Sequence, residues 1–368
     1  MEIPGKLPAQ DKARSKVLLS RISALVDELN TDSQNPIKIM HVCGTHEYTV
    51  SKYGLRSILP GGLEVIAGPG CPVCICPAQD VKLGLEIAKE DNVILATFGD
   101  MIRVPAEGMT LGKLRGEGAD IRVVYGPNDA VQLAKNNPDK EVVFFSIGFE
   151  TTVPLAAYEL SNNPPSNFSI IGANRLVPPA LDALLQLEDV PLAGFLLPGH
   201  VSAIIGVDGY LPLENKYHSP MVIGGFEIND VLISLLMLLL QLKEQRGTIE
   251  NAYQRVVKKE GNKKAWEIVH QVFEVADGVW RGIGTIPDSA LVLRSEYQQY
   301  DARLRFKKKI PEVQEIPPGC KCHLIILGKD LPQNCPLFGK TCVPENPIGP
   351  CMVSHEGTCR IAHIFRSI

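Results

Sequence analysis

Six of the chain's ten cysteines, Cys320, Cys322, Cys335, Cys342, Cys351 and Cys359, fall within its last fifty residues, in a stretch dense with proline and glycine. That stretch has too little apolar periodicity to hold itself together without a metal. Four thiolates on well-separated turns can wrap one iron–sulfur cluster or one zinc, since each needs soft anionic donors converging from several directions. The bland alternative is a set of buried structural cysteines or disulfides. Disulfides alone suit a small secreted domain, and this chain has 368 residues.

Nothing near the start reads as an export signal. Met1-Glu2-Ile3-Pro4-Gly5 leads into Asp11, Lys12, Arg14 and Lys16 with no apolar run and no cleavage pattern. The longest apolar run, Val231 to Leu240 with Ser234 inside it, is too short to span a bilayer and is expected as a buried helix segment. No membrane association and a cytoplasmic setting are the expectations, and in the cytosol cysteines are more often catalytic or metal-bound than structurally paired. A hydrophobic share of 45% over 368 residues leaves room for two or three domains with ample core. The formal net charge of -4 offers no footprint for nucleic acid, and Lys307-Lys308-Lys309 is expected as solvated loop charge.

Leu18, Ile22, Leu25 and Leu29 follow the stripe of an amphipathic helix over residues 12 to 30, which packs on a later domain. Short apolar runs then alternate with helical patterns. Ile37 to Val42, Leu63 to Ala67 and Val93 to Phe98 read as strands, with Ala78 to Glu90 helical between two of them, the signature of a parallel sheet. A second unit repeats the alternation, with strands at Ile121 to Tyr125, Val142 to Ile147, Ser169 to Ala173, Gly194 to Leu197 and Met221 to Ile223. Its helices are expected at Asn128 to Lys135, Thr152 to Leu160 and Pro179 to Leu187. After Gly224-Gly225 the pattern reads as helices only, over Glu227 to Gln245, Ile249 to Lys259 and Lys263 to Phe273. A Pro-rich passage at Ile310 to Pro318 leads into the cysteine segment. The expected fold class is therefore α/β: an N-terminal helix over 1–35, α/β units over 36–115 and 116–226 divided at the Gly112 to Asp120 loop, and a third region over 227–368.

Open parallel sheets bind ligands outside the carboxyl ends of their strands, so the residues just after each strand matter most. The first strand runs into His41-Val42-Cys43-Gly44-Thr45-His46-Glu47. A lone strand-end cysteine is commonly core, but His46 and Glu47 are able to hold Cys43 as a thiolate by proton abstraction or charge pairing. The next strand ends in Gly68-Pro69-Gly70-Cys71-Pro72-Val73-Cys74-Ile75-Cys76. A C-x-x-C at a strand-to-helix turn reads as a redox pair, with half a zinc site as the competing reading and Cys76 as a spare core thiol. Asp100 and Arg103 in Phe98 to Pro105, Glu150 in Gly148 to Thr152 and His200 in Pro198 to Ser202 occupy further strand ends, where a structural role is as common as a functional one. No phosphate loop and no dinucleotide fingerprint is present, which disfavours ATP- or NAD-driven chemistry.

Taken together, HVCGTHE at His41 to Glu47, GPGCPVC at Gly68 to Cys74, FGDMIRVP at Phe98 to Pro105, GFETT at Gly148 to Thr152 and PGHVS at Pro198 to Ser202 resemble one family, the HypD hydrogenase-maturation factors, which help to build the iron centre of [NiFe] hydrogenases. The C-terminal segment is the most specific part: Cys320, Cys335, Cys342 and Cys359 reproduce the family's spacing of fourteen, six and sixteen intervening residues.

The resemblance implies two similar α/β domains and a smaller helical and loop domain whose four cysteines hold a [4Fe–4S] cluster. It implies that Cys322 and Cys351 lie beside that cluster as a possible disulfide, that Cys71 and Cys74 are a redox pair, and that Cys43 holds iron. A transient Fe(CN)2CO unit is the implied cargo, with a HypC-type chaperone donating a second thiolate and a HypE-type carrier delivering cyanide. The hydrogenase large subunit would be served indirectly. A ferredoxin-dependent protein-disulfide reductase is the rival reading, and a zinc-stabilised interaction protein is a third.

Overall fold

The computed structural model describes residues 9–366 apart from 30, 31, 33 and 188. The export reading rests partly on residues before Ala9, which lie outside the described residues.

Eight short apolar runs form strands as expected, to within a residue or two at their ends: β1 Ile37–His41, β2 Leu63–Ala67, β3 Val93–Thr97, β4 Ile121–Val123, β5 Glu141–Gly148, β6 Phe168–Asn174, β7 Gly194–Pro198 and β8 Met221–Gly224. Most are buried along nearly their whole length, as strands covered by helices on both faces must be. Three further strands, β9 Ile249–Asn251, β10 Phe273–Trp280 and β11 Gly284–Leu293, lie in the region expected to be helical.

The strands make two parallel sheets, one ordered β2-β1-β7-β8-β9 and one ordered β4-β3-β5-β6, plus the antiparallel hairpin β10-β11. The expected grouping of strands is corrected here. The chain lays down β1 and β2, crosses to build the whole second sheet, and returns at β7 to pair beside β1. The Gly112 to Asp120 loop therefore joins two strands of one sheet, β3 and β4. Each β-helix-β unit carries the same alternation whichever sheet receives it, so periodicity cannot reveal the crossing.

Two further expectations fail for local reasons. Ile249 to Lys259 is not a helix: β9 adds to the edge of the first sheet, and the Asn251 side chain then accepts from Tyr253 N at 2.8 Å and donates to Val257 O at 2.9 Å, shaping a turn instead. In the hairpin, Trp280 is buried, stacks on Phe149 and donates its Nε1–H to Ser289 Oγ at 2.8 Å. These tertiary contacts outweigh a sequence broken by Asp, Gly and Pro.

The N-terminal helix, Ala9–Glu28, does pack on a later element, the helix Ile228–Lys243. Leu18, Ile22, Leu25 and Val26 meet Val231, Leu232, Leu235 and Leu239 in one core cluster. A capping box between Glu227 and Asp230 starts the Ile228–Lys243 helix, and the Val231 to Leu240 run is largely buried within it. Among the described residues no helix is long and apolar enough to cross a membrane.

The cysteine segment carries only short turns and helices, including Cys322–Ile326 and Thr358–Phe365. Its sulfurs share a core cluster with residues of both sheets, and Thr358–Phe365 lies against the helix Gly44–Lys52. Ile22, fully buried in the N-terminal seam, gives the direct check on that packing: Ile22→Ala should lower unfolding free energy by about 2–5 kcal/mol in urea titrations. A change of a few tenths would show that the helix is loosely attached.

Candidate functional site

Strand order reverses between β1 and β7 in the first sheet and between β3 and β5 in the second. Crevices open beyond the carboxyl ends at such points. Cys43 follows β1, His200 follows β7, Asp100 follows β3 and Glu150 follows β5, while Cys71 and Cys74 follow β2. Sequence motifs and topology thus select the same end of the sheets.

Cys43, Cys71 and Cys74 line one small cavity with His41, Glu356 and Thr358. The approach of their loops demands glycine. A Cβ on Gly70 would lie 2.2 Å from Cys43 N, and one on Gly44 would lie 2.3 Å from Glu356 Cβ.

Cys43 is the N-cap of the helix Gly44–Lys52, where the backbone N–H groups of His46 and Thr45 favour its thiolate although the sulfur makes no cap hydrogen bond. Burial, reinforced by the Glu356 carboxyl, nevertheless pushes the thiol up to about 11. It is therefore a protonated thiol near neutral pH, contrary to the expected thiolate. The residues expected to activate it are engaged elsewhere. His46 is buried and its Nε2–H donates to Gly225 O at 2.9 Å; burial and the nearby His41 ring press its pKa down to about 3, so it is neutral. Glu47 is buried too, yet Arg56 and His41 outweigh that burial and hold its carboxylate well below the usual range. Arg56 donates to both Glu47 oxygens at 2.9 and 2.6 Å, His41 Nε2–H donates at 2.8 Å and Ser51 at 2.9 Å. His46 and Glu47 thus anchor the helix that presents Cys43.

The C-x-x-C turn forms as expected. Cys71 caps the single-turn helix Pro72–Ile75, and its sulfur accepts from Cys74 N at 3.3 Å. Cys74 is fully buried, and burial, followed by the neighbouring Cys351 and Cys71 thiols, raises its pKa. Cys76 is buried among core residues and pushed up to about 12 by burial, which fits an inert core thiol.

Cys351 joins the two groups of cysteines. Its sulfur is approached by the Cys322, Cys359 and Cys74 thiols, which favour its thiolate against the opposing effect of burial. Cys322 also acts on Cys320 and Cys359, raising the pKa of each. Cys342 faces Cys322 and Cys320 at longer range and receives Ile348 N–H at 3.4 Å. Cys335 lies against the turn before Cys320, its sulfur 3.8 Å from Gly319 O. All ten cysteines are free thiols, Cys322 and Cys351 included. Among the described residues no three His, Cys, Asp or Glu side chains converge to hold a single metal ion.

The remaining strand-end residues divide. Arg103 ties the cysteine segment down, donating to Val353 O at 2.8 Å and Pro344 O at 3.3 Å, with Asp100 at 3.4 Å. Asp100 also acts on Glu356, whose carboxyl is raised first by burial. Glu150 is buried in the second sheet, its Oε1 accepting from Val177 N at 2.8 Å while Oε2 has no partner; burial pushes it up to about 7. His200 is exposed and stacks on Phe226 at 4.0 Å, outside the thiol cavity.

Glu356 is a cavity residue that the motifs missed. Thr45 Oγ1 donates to its Oε1 at 3.3 Å across 311 residues of chain. Its one sequence signal is an acid three residues before Cys359. Glu356→Gln should move the pH profile of iodoacetamide labelling at Cys43, read by mass mapping of the metal-free chain, to lower pH. The profile of the unaltered chain should still be rising above pH 9; a plateau near pH 8.5, the ordinary cysteine range, would contradict the geometry.

A family model described as HypD, hydrogenase formation hypA family, matches residues 16–366. A putative hydrogenase expression/formation protein of Methanocaldococcus jannaschii is 42% identical over 362 residues, covering 97% of this chain and 99% of its own. The hydrogenase maturation factor HypD of Azotobacter vinelandii is 41% identical over 360 residues, covering 95% and 93%. That of Escherichia coli K12 is 39% identical over 353 residues, covering 95% and 94%. Similarity of this extent, over nearly the whole chain, means that the chain belongs to the HypD family of hydrogenase maturation factors.

Proposed function

We propose that this chain is the redox-active scaffold on which the Fe(CN)2CO group of a [NiFe] hydrogenase is assembled and carried. Cys43 is the iron ligand, Cys71 and Cys74 are the two-electron dithiol, and Cys320, Cys335, Cys342 and Cys359 hold a [4Fe–4S] cluster. The observation that carries this reading is the common cavity of Cys43, Cys71 and Cys74, with Cys74 in turn meeting Cys351 of the cysteine segment. A disulfide reductase has no use for a third, separate thiol in that cavity.

The residues present fit a cluster. The donor set is four cysteine sulfurs, buried and carried on Pro- and Gly-rich turns. A Cβ on Gly349 would lie 2.6 Å from both Cys320 Sγ and Cys322 Sγ, so the backbone there leaves room only for sulfur. A cluster takes its ligands at separate corners, which suits sulfurs that do not converge on one point. When bound, such a cluster exchanges single electrons, whereas a dithiol exchanges two.

The chain's own residues prepare the cargo site. The N–H groups of Thr45 and His46 stabilise negative charge on Cys43 once its proton has left. Glu356, bonded to Thr45 and acting on Cys43, is a carboxyl of the same cavity able to take that proton. The buried Glu47–Arg56–His41 group keeps the Gly44–Lys52 helix aimed at the cavity. Incoming iron needs a soft donor, and only the thiolate qualifies. A HypC-type chaperone supplies the second thiolate, a HypE-type carrier brings cyanide, and the hydrogenase large subunit receives the product indirectly. With no phosphate loop in this chain, ATP is spent elsewhere.

The test is infrared spectroscopy of the chain co-purified with its small chaperone. Cys43→Ser should remove the CN and CO stretching bands while leaving the fold and the visible absorbance of the C-terminal cluster unchanged. Bands of normal intensity in that variant would place the iron on Cys71 or Cys74 instead.

A further inference from the structure

Arg281 stands at the tip of the β10-β11 hairpin, where a charged side chain is ordinarily solvated. Here it is 1% exposed, among the largest fully buried side chains of the molecule. Three segments pin it. Its backbone N–H donates to Ile75 O of the C-x-x-C turn at 2.9 Å, its Nε to Glu315 O at 2.8 Å and its Nη2 to Pro105 O at 2.9 Å. The following residue presses on the cysteine segment itself: a Cβ on Gly282 would lie 2.6 Å from both His323 Cβ and Ile316 Cδ1. The remaining nitrogen, Nη1, is buried with no partner.

A guanidinium keeps its charge in a protein, and a buried charge without a counter-ion is costly. Among the described residues no carboxylate comes within ion-pair distance of Arg281. Asp80 is shared by Arg175 at 3.7 Å and Arg303 at 3.1 Å, and Glu315 Oε2 accepts from Ala78 N at 2.9 Å. Both carboxylates are thus engaged by other groups, and Arg281 is left without a counter-ion. The Glu315 carbonyl that receives Nε lies in the passage leading into Cys320, and Gly282 packs on His323 beside Cys322, so the unpaired cation borders the Cys320–Cys322 turn and an anion belongs on that side.

We propose that Arg281 is the resident counter-cation of the thiolate-ligated cluster on Cys320, Cys335, Cys342 and Cys359, and that its buried charge raises the reduction potential of that group. The inference rests on the cluster reading above. A thiolate-ligated cluster is an anion in either redox state and gains one more negative charge on accepting an electron. A fixed cation nearby therefore stabilises the reduced state more than the oxidised one. Arg281 acts through this field and its position, without touching cargo.

The experiment is an anaerobic, mediated dithionite titration of the full chain, followed by visible absorbance and electron paramagnetic resonance. Iron and acid-labile sulfide are assayed on the same samples. Arg281→Met should lower the reduced-to-oxidised ratio at a fixed poise at least tenfold, which is about 59 mV for a one-electron couple. Arg281→Lys, which keeps the charge but not the fork, should titrate close to the unaltered chain. If Arg281→Met fails to retain iron while Arg281→Lys retains it, the need for the cation is likewise upheld. A purely structural role predicts the reverse pattern, in which both variants lose stability but titrate at the unaltered potential whenever iron and sulfide are full; that result overturns the proposal. Absence of iron and sulfide from the unaltered chain would instead remove the cluster reading, and this inference with it.

Discussion

The buried carboxylate of Glu47 is the constraint on which the thiol site depends. Two oxygens receive Arg56 twice, His41 once and Ser51 once, almost out of reach of water. Removing one partner from such a group typically costs 3–5 kcal/mol, about as much as a disulfide. This bonding fixes the Gly44–Lys52 helix against the end of β1. It thereby sets the direction of Cys43 and presents the surface on which the Thr358–Phe365 helix docks. Docking of that helix brings Cys359 and Glu356 to the first sheet.

The cysteine segment is held by contacts of a different kind. It buries Ile325, Ile326, Met352, Val353 and Ile361 beside its sulfurs, and those sulfurs share a core with both sheets. Cys351 interacts with Cys74, whose sulfur lies 4.0 Å from Pro350 O, and with Cys322 and Cys359. Arg103 and Arg281 reach into the segment from the second sheet and the hairpin, each ending on main-chain carbonyls.

Much of the site was legible in the chain before any coordinates. Strand ends are marked by apolar runs that stop at glycine, and Cys43, Cys71, Asp100, Glu150 and His200 all follow strands as expected. What could not be read was which strands pair and which distant side chains meet. The crossing between sheets leaves no local trace, and Glu356 reaches Thr45 from 311 residues away. His46 and Glu47, expected to activate Cys43, are engaged with Gly225 and Arg56 instead, because burial decides protonation and burial is a tertiary property. The hairpin escaped for the same reason, since Trp280 and Arg281 are buried only by segments remote in sequence.

Disulfide mapping tests most directly whether one buried sulfur path joins the cysteine segment to the Cys43 cavity. The chain, prepared without oxygen, is poised across a graded thiol–disulfide buffer, trapped with an alkylating agent and mapped by peptide mass spectrometry. If the path is as described, bonds will be confined to neighbours along it, Cys71–Cys74, Cys74–Cys351 and Cys322–Cys351, while Cys76 stays alkylated at every poise. Bonds that include Cys76, or a Cys71–Cys74 pair that stays reduced throughout while remaining open to alkylation, would contradict it.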